Sequence, residues 1–396
     1  MKFLPILSFL ILTACSLSKA GKVEQKEYYR EFQFEAKGDL PILKVRVNGI
    51  EANFLFDTGA SSNVVSIDLA NKLSLETIST GYVYDSGGDR AILEYVSIDT
   101  ISIDSINFLN TTAVIADLNS SEVVSCFALD GIIGTNLMRK AYWKLDYLQK
   151  IISLSDDISN LTDNSNWDTL SFEFNEVGNP TVKLELNEQL SHDLIFDTGF
   201  NGTISVPKNS FHQLNAADSS TETTYKTGIS SFGLYGKHKS DTTYFAKIKK
   251  AELGNSTLEL NNQIVAFNAH SNLIGSKFLS NHTVVLDWEN HFIYLKKSRK
   301  SSNNSLKSFG FNVLLENNKL KVGALFANSN AQKKLEVGEE ILTLNGVNCQ
   351  DLSAEDLCNL YLSGPLNFED LNQLELKVKR GNTTENIKLN KEVILD

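Results

Sequence analysis

The sequence predicts a mainly β chain built from two related lobes followed by a small α+β domain, and three observations predict it. A segment recurs at a spacing of about 140 residues, with several landmarks in register. Its strand-forming runs alternate apolar and polar residues at period two and turn back on themselves. After the second copy, a polar stretch separates off a final segment with its own strands and a helix.

In chain order, Met1 to Ala14 carries one early cation, Lys2, an apolar run from Phe3 to Leu12 and then small residues, which is a secretion signal too short to span a bilayer. It closes with Leu12-Thr13-Ala14-Cys15, which resembles a bacterial lipoprotein signal. That resemblance implies a lipidated Cys15 as the mature N-terminus, anchored to a membrane of the bacterial cell envelope, on the periplasmic or outer-membrane face. An ordinary cleaved signal with an incidental Cys is the other reading. Residues 15–35 are polar and charged without periodicity and read as a tether.

The lobes follow as residues 36–160 and 161–298. Pro41-Ile42-Leu43-Lys44-Val45-Arg46-Val47 and Pro180-Thr181-Val182-Lys183-Leu184-Glu185-Leu186 are matching alternating strands, the first turning through Asn48-Gly49, a strong hairpin signal. Each precedes an apolar strand that runs into Asp-Thr-Gly: Phe54-Leu55-Phe56-Asp57-Thr58-Gly59-Ala60 and Leu194-Ile195-Phe196-Asp197-Thr198-Gly199-Phe200. Gly131-Ile132-Ile133-Gly134 and Asn272-Leu273-Ile274-Gly275 place their last glycines 77 and 78 residues after the two acids, and Asp146 and Asp287 lie 12 residues further on. An apolar strand that ends in a carboxylate aims the acid into the protein, where burial disfavours charge. Two such acids side by side share one proton and so hold a general acid and a general base together.

These motifs resemble the pepsin-like and retroviral-type aspartic proteases over roughly residues 34 to 298. The resemblance implies two β-barrel-like lobes related by a pseudo-twofold axis, with Asp57 and Asp197 as the catalytic pair acting on water and no metal or cofactor. Thr58 and Thr198 would lock the two loops by hydrogen bonds, while Gly59 and Gly199 would let backbone N–H groups approach the carboxylates. The substrate would be a peptide or protein. Ala60 fits the family's usual Ser, Thr or Ala after the triplet, whereas Phe200 departs from it. Phe200 therefore keeps open a non-catalytic alternative, a peptide-binding lipoprotein on the same bilobal fold. Between the landmarks, Ser61 to Leu73 reads as a strand and helix mixture. Tyr82 to Tyr95 reads as a Gly-rich hairpin that is either a flap over the acids or an ordinary surface hairpin, with residues 228–236 in the matching place.

Residues 299–305 read as a linker, and 306–396 resemble a PDZ domain. Ser308, Phe309, Gly310 and Phe311 fall at the carboxylate-binding loop, and Asp351 to Leu360 at the groove helix. The resemblance implies capture of a peptide C-terminus by strand addition; a domain that only packs on the lobes is the alternative.

Composition excludes other classes. A net charge of −11 argues against a nucleic-acid partner. The six His have no metal-ligand spacing and Gly-x-Ser-x-Gly is missing, which speaks against metal and serine hydrolysis. Of the four Cys, Cys126 reads as a buried thiol and Cys349 and Cys358 either pair or stay reduced, so the fold is not expected to depend on disulfides.

Overall fold

A computed structural model describes residues 20–84, 90–163, 166–229, 232–233, 236–237, 240–255, 258–269, 272–298, 305–362 and 371–396. The signal segment with Cys15, the tip of the first hairpin at 85–89, parts of the second hairpin tip and most of the expected linker lie outside these residues.

Each lobe is a closed sheet, and the two close identically. In the first, Leu40–Val47, Ile50–Phe56, Gly131–Ile133, Asn63–Ser66, Ile106–Ala116 and Arg90–Ile103 pair in that order, and the last returns to the first. In the second, Pro180–Leu186, Leu190–Asp197, Leu273–Gly275, Ile204–Pro207, Leu258–Asn268 and Asp241–Leu253 do the same. The acid-bearing strands are apolar on both faces because they sit inside these barrels. Each pairs in parallel with a landmark strand, Phe56 opposite Ile133 and Asp197 opposite Gly275. Glycine is required at Gly131, where a Cβ would lie 2.4 Å from the Phe54 ring.

A third sheet joins the lobes. Its order is Asp168–Ser171, Phe292–Lys297, His282–Asp287, Tyr142–Asp146, Ile151–Ser155 and Tyr29–Gln33, two strands on either side of the central antiparallel pair that sets Trp143 opposite Leu286 and Asp146 opposite Thr283. Trp143, Leu145, Val284 and Leu286 point from it into one core that runs through both lobes. Tyr29–Gln33 corrects the expected tether: Lys22–Val23 and Tyr29–Gln33 are strands, and Tyr28 and Phe34 are buried in that core. Charged residues on the exposed face of a short edge strand hid its alternation.

The C-terminal segment has strands Leu306–Ser308, Phe311–Leu315, Leu320–Phe326, Glu340–Leu344, Val347–Asn348, Gln373–Arg380, Thr383–Asn390 and Glu392–Leu395, with one helix, Ala354–Leu362. The helix begins later than expected because Ser353 caps it, its Oγ accepting from Asp356 N–H at 3.1 Å. The domain is fastened to both lobes. Its strand Leu320–Phe326 pairs with Thr223–Gly228 of the second lobe, Lys226 opposite Phe326 and Gly228 opposite Ala324. Gly228, at φ +140°, permits this, since a Cβ there would lie 2.2 Å from the Gly323 carbonyl. On the other side, a Cys126–Cys358 disulfide with Cα atoms 5.0 Å apart joins the first lobe to the helix. This corrects the reading of Cys126 as a thiol and of a fold without disulfides. The partners are 232 residues apart, beyond any spacing rule, while Cys349 is buried and free.

Candidate active site

Strands Ile50–Phe56 and Leu190–Asp197 approach each other across the lobe boundary and bring Asp57 and Asp197 together. Each acid is gripped by its own turn. Gly59 and Ala60 N–H donate to Asp57 Oδ1 at 2.7 and 3.2 Å, and Gly199 N–H donates to Asp197 Oδ1 at 2.8 Å. The threonines cross over. Thr58 Oγ1 donates to the Phe196 carbonyl at 2.5 Å and accepts from Thr198 N–H at 3.0 Å. Thr198 Oγ1 donates to the Phe56 carbonyl at 2.7 Å and accepts from Thr58 N–H at 3.1 Å. Both side chains are fully buried, so losing one hydroxyl would strand buried groups at about 1–3 kcal/mol each.

The glycines serve a second purpose besides donating these N–H groups. A Cβ on Gly59 would sit 2.5 Å from Asp197 Cγ, and one on Gly199 would sit 2.3 Å from Asp57 Cγ. Each is bare because the opposite lobe's carboxylate occupies the space of its side chain.

The two carboxyls are hydrogen-bonded to each other. Burial pushes Asp57 above the usual carboxylate range, opposed by the bond from Asp197 and by N–H donors of Gly59, Ala60 and Gly199. Burial pushes Asp197 further up, reinforced by the charge and the hydrogen bond of Asp57. Asp197 is 8% exposed, while Asp57 keeps more of its surface open. The pair thus favours one shared proton.

Phe200 turns its ring onto the crossing strand. A Cβ on Gly202 would meet the ring at 2.1 Å and one on Gly275 at 2.5 Å, so both glycines make room for it. Its backbone N–H donates to Asp197 and its carbonyl accepts from Ser276 N–H at 2.7 Å. The first lobe repeats this at Ala60, whose carbonyl accepts from Thr135 N–H at 2.8 Å.

The hairpin expected as a flap has arms Thr77–Tyr84 and Arg90–Ile103, with Tyr82 opposite Ile92. In the second lobe, Thr223–Gly228 and Asp241–Leu253 stand in its place. The other expected site residues lie apart, in the C-terminal domain. Ser308 ends a strand, Phe309 and Phe311 are buried in that domain's core, and Gly310 has φ +85°. Ser308 Oγ accepts from Gly310 N–H at 3.1 Å. Among the described residues, Phe311–Leu315 pairs on one edge only. Two cavities of about 340 and 510 Å³ open elsewhere, and neither is lined by Asp57 or Asp197. Among the described residues no group of three His, Cys, Asp or Glu converges, and no helix is long and apolar enough to cross a membrane.

Sequence reasoning missed Asn179, whose side-chain amide donates to the Thr58 carbonyl at 3.1 Å. The signal was a break in the repeat: Asn179 precedes Pro180 where Leu40 precedes Pro41.

Comparison with known proteins bears on the first lobe. The aspartyl protease family matches residues 43–137, a span that includes Asp57, Thr58, Gly59 and Gly134. The crystal structure of a retropepsin-like aspartic protease from Rickettsia conorii is similar at 18% identity and a TM-score of 0.25, over 33% of this chain and 92% of that one. No curated protein matches the chain.

Proposed function

We propose that the chain is an aspartic endopeptidase whose two lobes each supply one acid of a water-activating pair. The observation that carries this is the reciprocal fit of Asp57 and Asp197, hydrogen-bonded to each other through the space left by Gly199 and Gly59. The family match to residues 43–137 supports it from the side of sequence. In this reading, a water held between the acids loses a proton to Asp57 as its oxygen attacks the substrate's peptide carbonyl. Asp197 gives its proton to the carbonyl oxygen. The tetrahedral diol then collapses: Asp57 returns a proton to the amide nitrogen, the C–N bond breaks, and Asp197 recovers a proton from the diol. No covalent enzyme intermediate forms. Thr58 and Thr198 keep the two turns at fixed separation, and the hairpin at Thr77–Tyr84 closes over the substrate.

The C-terminal domain is read as PDZ-like, with Ser308, Phe309, Gly310 and Phe311 at the carboxylate loop and a peptide C-terminus adding along the unpaired edge of Phe311–Leu315. Cys15 is read as the lipid-bearing residue that anchors the chain to the cell envelope; neither nucleic acid nor a cofactor is part of the reading. The receptor alternative rests on Phe200, whose ring packs on Gly202 and Gly275 while its N–H still serves Asp197, an arrangement that supports the catalytic reading. Incubation with a mixed peptide library tests the proposal. Cleavage that pepstatin blocks is expected; an intact library together with tight peptide binding would favour the receptor.

A further inference from the structure

The two halves of the site are near copies, yet one contact breaks their symmetry. The turn that leads into the second lobe's first barrel strand, residues 175–179, is one residue longer than its counterpart at 37–40 and reaches across to the first lobe. It is built to hold its shape. Asn175 Oδ1 accepts from the N–H groups of Val177, Gly178 and Asn179 at 3.2, 2.8 and 2.8 Å, and Asn175 N–H donates to the Asn179 carbonyl at 3.0 Å. Thr135 Oγ1 donates to the Gly178 carbonyl at 3.2 Å, and the Arg139 guanidinium bonds the same carbonyl while lying 4.0 Å above the Phe174 ring.

At the end of this turn the buried Asn179 side chain meets the Thr58 carbonyl at 3.1 Å. A carbonyl only accepts, so the amide nitrogen must face it. The other end of that peptide unit is Gly59 N–H, which donates to Asp57 Oδ1 at 2.7 Å. Two hydrogen bonds therefore run in series through one peptide group, and the first strengthens the second by polarising it. The second lobe lacks the relay, because Leu40, the counterpart of Asn179, has no donor to offer.

We infer that Asn179 is a positioning residue that makes the acid pair unequal: by fixing and polarising the Thr58–Gly59 peptide it assigns the negative charge to Asp57 and leaves the proton on Asp197. This deepens the proposed function and rests on it. The donor count agrees, with three backbone N–H groups on Asp57 and two on Asp197. Other ionisable groups around the relay are Tyr147, whose phenol burial pushes up and which lies near Asp39 and Asp197, and Arg139, which burial pushes down and which bonds the turn at Gly178. Neither bonds Asn179.

The test is the pH dependence of kcat/KM on a fluorogenic peptide for wild type, Asn179→Leu and the isosteric Asn179→Asp. Without the amide, Asp57 gains its proton more readily. The acid limb is expected to move to higher pH by about half a unit in Asn179→Leu and further in Asn179→Asp, whose ionised form adds a charge, with the basic limb little changed. A purely structural role would lower Tm and kcat and leave the acid limb where it was, and that result in either variant overturns the inference. A wild-type chain that cleaves no peptide would instead sink the endopeptidase reading beneath it.

Discussion

At the residue scale, the proposed function has the acids set the chemistry and the neighbours set its pH. Burial raises both carboxyls, and in the proposed function the singly protonated pair is the working form, so the activity bell should be centred at weakly acidic to near-neutral pH. Ala60 carries no hydroxyl beside Asp57. Ala60→Ser adds a donor to the charged form, which lowers a carboxyl pKa, and the bell should move toward acid. An optimum in strong acid for wild type, or no shift in the variant, would mean that other groups set these values. Stability carries the same signature with a definite sign. A folded carboxyl raised above its unfolded value near 4 makes the native state bind more protons than the unfolded one. That favourable difference is fully present below the unfolded pKa and is lost as pH rises through the folded one. Asp197→Asn does not titrate, so its Tm relative to wild type should climb by a few degrees between about pH 4 and pH 7. A constant difference in calorimetry would contradict the raised pKa. The acids and threonines were legible in the sequence because each sits in a local motif that occurs twice. Asn179 was not, since its partner lies 121 residues away and only the mismatch with Leu40 hinted at it.

At the element scale the two barrels are alike but their hairpins are not. Among the described residues Thr77–Tyr84 pairs with Arg90–Ile103 alone, and the two arms expose Tyr82, Tyr84 and Ile92. Thr223–Gly228 has a strand on each edge, Asp241–Leu253 on one and Leu320–Phe326 of the C-terminal domain on the other. Further backbone bonds, Ile229 N–H to Gly323 at 2.9 Å and Ala327 N–H to Tyr225 at 2.8 Å, extend that seam. Among the described residues, the second hairpin alone is held by a strand of another domain. Hydrogen exchange should therefore be faster in 77–84 than in 223–228, and peptide substrate should slow the first alone. Equal protection of the two hairpins in the free protein would refute this asymmetry. Sequence alternation marked both hairpins, yet it could not say what lies on an outer edge, because strand pairing between domains leaves no local trace.

At the scale of the whole molecule, the C-terminal domain is a brace between the lobes. It pairs with the second lobe by a strand and bonds the first by Cys126–Cys358, with Val123 and Cys126 buried in its core. A cross-link closing a loop of 232 residues constrains the unfolded chain strongly, and its loss typically costs about 2–5 kcal/mol. Cys358→Ser should lower Tm and raise exchange in the helix Ala354–Leu362 while short-peptide cleavage persists. An unchanged Tm would show that packing alone holds the brace. Deleting 306–396 is a harsher change than cutting the disulfide. Beyond altering the choice of protein substrates, it would bare one edge of Thr223–Gly228 and the apolar Val123, so some loss of solubility is expected with it. The overall architecture was readable because the repeat is long and its landmarks stay in register. The brace was not, because a disulfide and a sheet seam between distant segments follow from tertiary geometry rather than from pattern.

The most direct measurement is kcat/KM for one defined peptide with wild type, Asp57→Asn and Asp197→Asn, each checked for an intact fold by its melting curve. The account expects either substitution to lower turnover by at least about a thousandfold, because each removes one half of a shared acid–base pair and the two act as a unit. Substantial cleavage by either folded variant would contradict it.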